Sequence, residues 1–239
     1  DKVYENATHI FVENDPFCQA VLRKHWPKAE IHGDIRAFAD TAREQIDTAK
    51  QSGFHAEPRL RDCDLITGGF PCQPFSQAGR RQGTADDRYL WEPMLECIAL
   101  FKPRWVIAEN VAGLVTWNDG MVLETVCTDL EAEGYEVQPF IVPACAVGAP
   151  HRRDRVWIVA HYESEQINSS ESSGFHSELA SESWRENWPQ VAARLCAVDD
   201  GLPNGLVRPR GWRNAALKAA GNAIVPAVAE QILRAIKEG

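Results

Sequence analysis

The chain has 239 residues, 44% of them hydrophobic and 25% charged, with a formal net charge of -9. That balance suits one large α/β domain, alone or with a small appendage, and argues against a general nucleic-acid coat, which needs lysine and arginine to neutralise phosphates. No apolar run approaches a membrane span and the first ten residues, DKVYENATHI, carry no basic-then-apolar signal pattern, so a cytoplasmic protein is the default expectation.

In chain order, THIFVE (8–13) is a short β-rich run. Asp15-Pro16 then opens an amphipathic stretch that ends near Trp26-Pro27, with the aspartate as cap and the proline as first helical residue. AEIHGDI (29–35) predicts a second strand and 36–50 a polar helix. CDLITGG (63–69) predicts a compact strand followed by a long loop to Arg88, then a helix over 89–102, a strand at RWVIAEN (104–110) and a helix over 121–133. EVQPFIV (136–142) and RVWIVAH (155–161) complete the strands, and Pro139 inside the former marks it as an edge strand. Strands separated by helices of this length imply βαβ units and a mostly parallel sheet flanked by helices. The apolar period vanishes over 162–187, where serine and glutamate dominate as in a linker or mobile insertion. Asn222 caps a final helix that carries Pro226 in its first turn or so.

Seven cysteines are scattered without a Cys-x-x-Cys pair, which argues against a disulfide framework or a zinc site. Cys63, Cys97, Cys127 and Cys145 lie among apolar neighbours and are expected to be small core residues. Cys72 differs. In GGFPCQPFS (68–76) it stands between two prolines just after a strand, as a packed thiol, a metal ligand or a nucleophile would. Ligands gather beyond the carboxyl ends of strands in open parallel sheets. Glu13, Cys72 and Glu109-Asn110 occupy such places, and His151-Arg152-Arg153-Asp154-Arg155 leads into the last strand. Arginines also concentrate at 80, 81 and 88 and at 208, 210 and 213, where solvated surface is the plain reading.

Pro71-Cys72-Gln73, Glu109-Asn110-Val111, Arg153-x-Arg155 before an apolar strand and Gly221-Asn222-Ala223 before the last helix resemble, in order and spacing, the motifs of cytosine-5 DNA methyltransferases of bacterial or phage type. The resemblance covers most of 8–160 and 196–236 and implies a Rossmann-like fold with a reduced target-recognition region. It implies a cytosine flipped out of double-stranded DNA, S-adenosyl-L-methionine as methyl donor, no metal, and a monomer within a restriction-modification setting. By the same resemblance Cys72 is the nucleophile, Glu109 the carboxyl group at the ring nitrogen and amine of the base, and Arg153 and Arg155 residues that bind the base and support that carboxylate. Glu13, Asp34, Pro71, Leu90 and Asn222 match cofactor neighbours, with Trp91 either beside them or in the core. Gln73, Ser76, Arg80, Arg81 and Arg88 belong to a loop that resembles the family's closing loop over DNA.

The family's opening strand and glycine-rich turn has no counterpart before Thr8. The expectation is therefore a catalytic core over 1–161 without its first βα unit, a short variable region over 162–213 and a returning helix over 214–239, with cofactor binding by the chain as written weak or absent. Trp91-Glu92-Pro93-Met94 stands where family members often read Trp-Pro-Glu-Met, which puts the start of that helix in question. Two rival readings remain: a fragment that binds DNA or a partner chain without methyl transfer, and a cysteine hydrolase using His151 as base.

Overall fold

The structure, a computed structural model, describes residues 3–4, 7–52, 63–71, 90–149, 152–162 and 223–238. The backbone divides into two compact units, Asp1–Ile31 with Val142–Arg153 and Asn168–Gly239, and His32–Ile141 with Asp154–Ile167.

In the first unit, strand β1 (Ile10–Val12) leads into helix α1 (Pro16–His25), whose first turn is closed by Asp15 accepting the Phe17 N–H at 2.8 Å with Pro16 as the first helical residue. Arg23, Lys24 and His25 crowd its last turn, where the helix dipole favours positive charge. Strand β2 (Glu30–His32) pairs with β1 in a two-stranded sheet.

The second unit is built on helix α2 (Ile35–Ser52), strand β3 (Leu65–Gly69), helix α3 (Trp91–Phe101), strand β4 (Trp105–Val111), helix α4 (Met121–Ala132), strand β5 (Glu136–Val142) and strand β6 (Arg155–His161). Its sheet runs β3-β4-β6-β5. Alanines 39 and 42, one helical turn apart on α2, let that helix approach Cys97 and Phe101 of α3 closely. On one face of the sheet Val106, Ala108, Val156, Ile158 and Ala160 form the core with Phe70, Trp91, Leu114, Val126 and Leu130. The opposite face carries Trp105, Ile107, Trp157, Val159 and His161, also buried, with the Trp105 and His161 rings 4.2 Å apart across the ladder. Burial of both faces explains why these strands read as continuous apolar runs.

Each expected element is found, with ends shifted by a residue or a few. Helix α3 starts at Trp91 despite the altered order of its first turn: Pro93 lies at a position whose N–H has no intrahelical acceptor. The final helix, α5 (Pro226–Glu238), begins on Pro226, whereas the expected cap Asn222 lies outside the described residues. Pro139 lies in β5, which is the sheet's edge. Two expectations are corrected. The sheet is mixed: β3 and β4 are parallel, but β4 and β6 are antiparallel. Among the described residues between β5 and β6 there is a 3-10 turn at Ala144–Val147 and no α-helix to carry a parallel crossover. Cys145, in that turn, is exposed, its neighbours Ala144 and Val147 being the buried pair.

Candidate functional site

Parallel pairing sets Gly69 directly beside Glu109. GGFPCQPFS therefore leaves the sheet next to that carboxylate. A Cβ on Gly69 would stand 3.5 Å from Glu109 Oε2, so the absent side chain keeps the space beside the carboxylate open. One residue on, Phe70 is buried, its ring 5.0 Å from that of Trp91. The Phe70 carbonyl accepts a 2.9 Å bond from Asn110 Nδ2, and Asn110 Oδ1 accepts the Val111 N–H at 2.8 Å. This buried asparagine fastens the end of β3 to the end of β4, two residues before Cys72. Pro71 is exposed. Cys72, Gln73, Ser76, Arg80, Arg81, Arg88, His151 and Asn222 lie outside the described residues.

Arg155, the first residue of β6, pairs with Val111, and its Nε lies 2.9 Å from Glu109 Oε1. The contact is a charge pair outside hydrogen-bond alignment. Its side chains are 19% and 14% exposed, dry enough that each charge depends on the other. Strand ends thus bring Glu109 and Arg155 together, beside the exit of the cysteine loop. Arg153 belongs to the first unit. Its backbone takes a left-handed φ of 38°, and its Nη2 donates 2.6 Å to the carbonyl of Ala223 ahead of α5. Strain of that kind, of order 1–3 kcal/mol, persists only where surroundings enforce it.

Glu13 follows β1, and its Oε1 accepts the Asp15 N–H at 2.8 Å. Asp34 follows β2 and caps α2, its Oδ1 accepting from the N–H groups of Arg36 and Ala37 at 2.7 and 3.2 Å. In each carboxylate the second oxygen accepts nothing among the described residues. That chemistry fits ribose hydroxyl and adenine amine donors, the groups an adenosine-bearing cofactor presents. Leu90 precedes α3 half-buried and makes no side-chain cap. Trp91 is fully buried and donates its indole N–H to Asp129 Oδ2 at 2.7 Å, which makes it core.

Sequence reasoning gave Asn110 no role beyond its place at the end of a strand. The available signal for Asn110 was a polar residue ending a strand whose other residues are apolar. Burial pushes the Cys97 and Cys127 thiols up to about 11 and raises Cys63 as well, so these three are inert by comparison with a free thiol. Among the described residues no cluster of histidine, cysteine, aspartate or glutamate is arranged to hold a metal ion, and no helix is long and apolar enough to cross a membrane.

The profile of the C-5 cytosine-specific DNA methylase family matches residues 4–201. The chain is 36% identical over 155 residues to Type II methyltransferase M.Sau96I of Staphylococcus aureus, covering 64% of this chain and 33% of that one. It is 33% identical over 165 residues to Type II methyltransferase M.AquIA of a Picosynechococcus species, covering 65% of this chain and 63% of that one. The chain thus spans a third to under two thirds of these relatives' length. A solved structure of a putative DNA modification methyltransferase encoded within a prophage of E. coli superposes with a TM-score of 0.47 at 22% identity, covering 69% of this chain and 42% of that one.

Proposed function

The chain belongs to the C-5 cytosine-specific DNA methylase family, and on that premise we propose that it is a DNA cytosine-5 methyltransferase that attacks a flipped cytosine through Cys72. The observation that carries the reading is the Glu109–Arg155 pair standing where the cysteine loop leaves the sheet. Carbon 5 of cytosine is a poor nucleophile until a thiolate adds to carbon 6. In that step the Cys72 sulfur forms the new bond, and the electron pair of the 5,6 double bond moves into the ring, making carbon 5 enamine-like. A proton held between Glu109 and ring nitrogen 3 offsets the charge that develops there, and Arg155 keeps the carboxylate in place. Gly69 leaves room for that carboxylate, and Asn110 fixes the backbone from which the thiol is presented.

S-Adenosyl-L-methionine, held by Glu13 and Asp34 with Pro71, Leu90 and Asn222 as further neighbours, supplies when bound the electrophilic methyl group that carbon 5 takes. Cys72 leaves once carbon 5 has lost its proton. A duplex shields carbon 6, so the base is flipped out at a cost of a few kcal/mol, with Gln73, Ser76, Arg80, Arg81 and Arg88 as the proposed contacts to DNA and Arg153 as a further base-side residue.

The test uses duplex DNA carrying 5-fluorocytosine, in which fluorine replaces the proton that must be lost. With methyl donor present, a covalent protein–DNA adduct is expected in the intact chain and none in Cys72→Ser. DNA binding without an adduct in either protein would instead establish the fragment that binds without transferring a methyl group.

A further inference from the structure

Directly across the antiparallel ladder from Glu109 lies Trp157. Opposed residues of such a ladder share one face of the sheet with their Cβ atoms about 5 Å apart, within reach of an aromatic side chain. Trp157 is 3% exposed, and its indole N–H is buried with no hydrogen-bond partner among the described residues. A buried donor left unmade costs stability, and native chains retain few of them. Among the residues that adjoin Trp157 on its own face of β4 and β6, Glu109 alone has an acceptor side chain. Ile107, Val111 and Val159 are apolar, and Arg155 has only donors. Glu109 carries the one carboxylate among them.

Resting on the proposed methyl transfer, we propose that Trp157 is a positioning residue for Glu109, its indole N–H held for that carboxylate when the base engages the Glu109–Arg155 pair. In the structure as it stands Arg155 holds Oε1, and Gly69 leaves space toward Oε2. A base that recruits both members of the pair competes with the charge contact that now orients the carboxylate. The tryptophan donor then keeps the carboxylate in its rotamer. This is why a residue of the apolar strand run at 155–161 carries a polar edge that the core does not use.

The experiment compares the parent chain with Trp157→Phe, which keeps a ring and deletes the N–H. A second variant carries benzothienylalanine at 157, where sulfur replaces only the N–H and the shape is preserved. Three quantities are read: the rate of adduct formation on 5-fluorocytosine duplex with methyl donor, the duplex Kd by fluorescence anisotropy, and the thermal unfolding midpoint. The expected result is an adduct rate about tenfold lower in both variants, the scale of one positioned hydrogen bond, with Kd within about twofold of the parent. The benzothienylalanine protein unfolds no earlier than the parent, since it loses an unused buried donor. An adduct rate within twofold of the parent in the benzothienylalanine protein overturns the proposal and makes Trp157 simply core. A parent chain that forms no adduct overturns the Cys72 mechanism itself, and the role of Trp157 falls with it.

Discussion

Removing one charge from the Glu109–Arg155 pair strands the other in a largely dry site. Glu109→Gln keeps the shape and is expected to lower unfolding free energy by about 3 kcal/mol, the order seen when a buried pair loses one member. Adding Arg155→Met removes the orphaned cation and should return at least half of that loss. Urea denaturation of the four proteins of the cycle checks both statements. Asn110 makes a sharper case. Asn110→Asp keeps the oxygen that accepts the Val111 N–H but replaces the donor to the Phe70 carbonyl with a second acceptor. A loss of about 2 kcal/mol is expected, together with slower adduct formation, because the backbone ahead of Cys72 is released; an unchanged midpoint would show the latch to be idle. That Glu109 and Arg155 lie near strand termini was legible in the sequence because each stands at one boundary of an apolar run. The latch was not legible, since its acceptor is a backbone carbonyl forty residues away, and no side-chain pattern announces a carbonyl.

Consecutive glycines at the end of β3 serve different needs at the level of the element. A Cβ on Gly68 would meet Met94 Sδ at 2.6 Å and its terminal carbon at 2.8 Å, whereas Gly69 meets nothing closer than 3.5 Å. Met94 is buried in the core, so its thioether has little space to retreat. Gly68→Ala is expected to lower the thermal midpoint with a cost of about 1–3 kcal/mol. Met94→Val in the same chain should recover part of that loss, and Gly69→Ala should leave stability within about 0.5 kcal/mol. Calorimetry distinguishes these outcomes. Strand and helix positions were readable from apolar runs, caps and prolines, as Asp15-Pro16 and Pro139 illustrate. Strand direction was not. The periodicity of β6 is the same in either direction, and its antiparallel pairing with β4 goes with the lack of a crossover helix among the described residues between 142 and 155. Cys145 was misread for a related reason: apolar neighbours in a 3-10 turn face the core by turns, and the cysteine takes the outward place.

For the whole molecule, the buried Cys97 and half-buried Cys127 thiols make stability depend on alkaline pH. Cys97 and Cys127 titrate near 9.0 when unfolded and are pushed up to about 11 when folded, chiefly by burial. Between those values the unfolded chain holds fewer protons than the folded one, so unfolding becomes easier as pH rises. Their contribution is whole below pH 9.0 and is lost as pH climbs through about 11. Urea midpoints measured from pH 8 to 11 should fall, and Cys97→Ala with Cys127→Ala should flatten that decline. At pH 8, peptide-resolved alkylation should mark Cys145 well before Cys63, Cys97 or Cys127; uniform labelling would mean that the burial described is not held in solution.

Arg155 is both the first residue of β6 and the partner of Glu109, and successive residues after it alternate between the core and the opposite face. Packing and chemistry consequently share one register. A slip of a single residue in the connection at 143–154 would turn Val156, Ile158 and Ala160 out of the core and carry the guanidinium to the wrong side of the sheet. The loop that precedes β6 is therefore constrained in length even where its side chains are free to vary. An insertion there has to be absorbed entirely outside the ladder, or the core and the Glu109–Arg155 pair are lost in the same stroke.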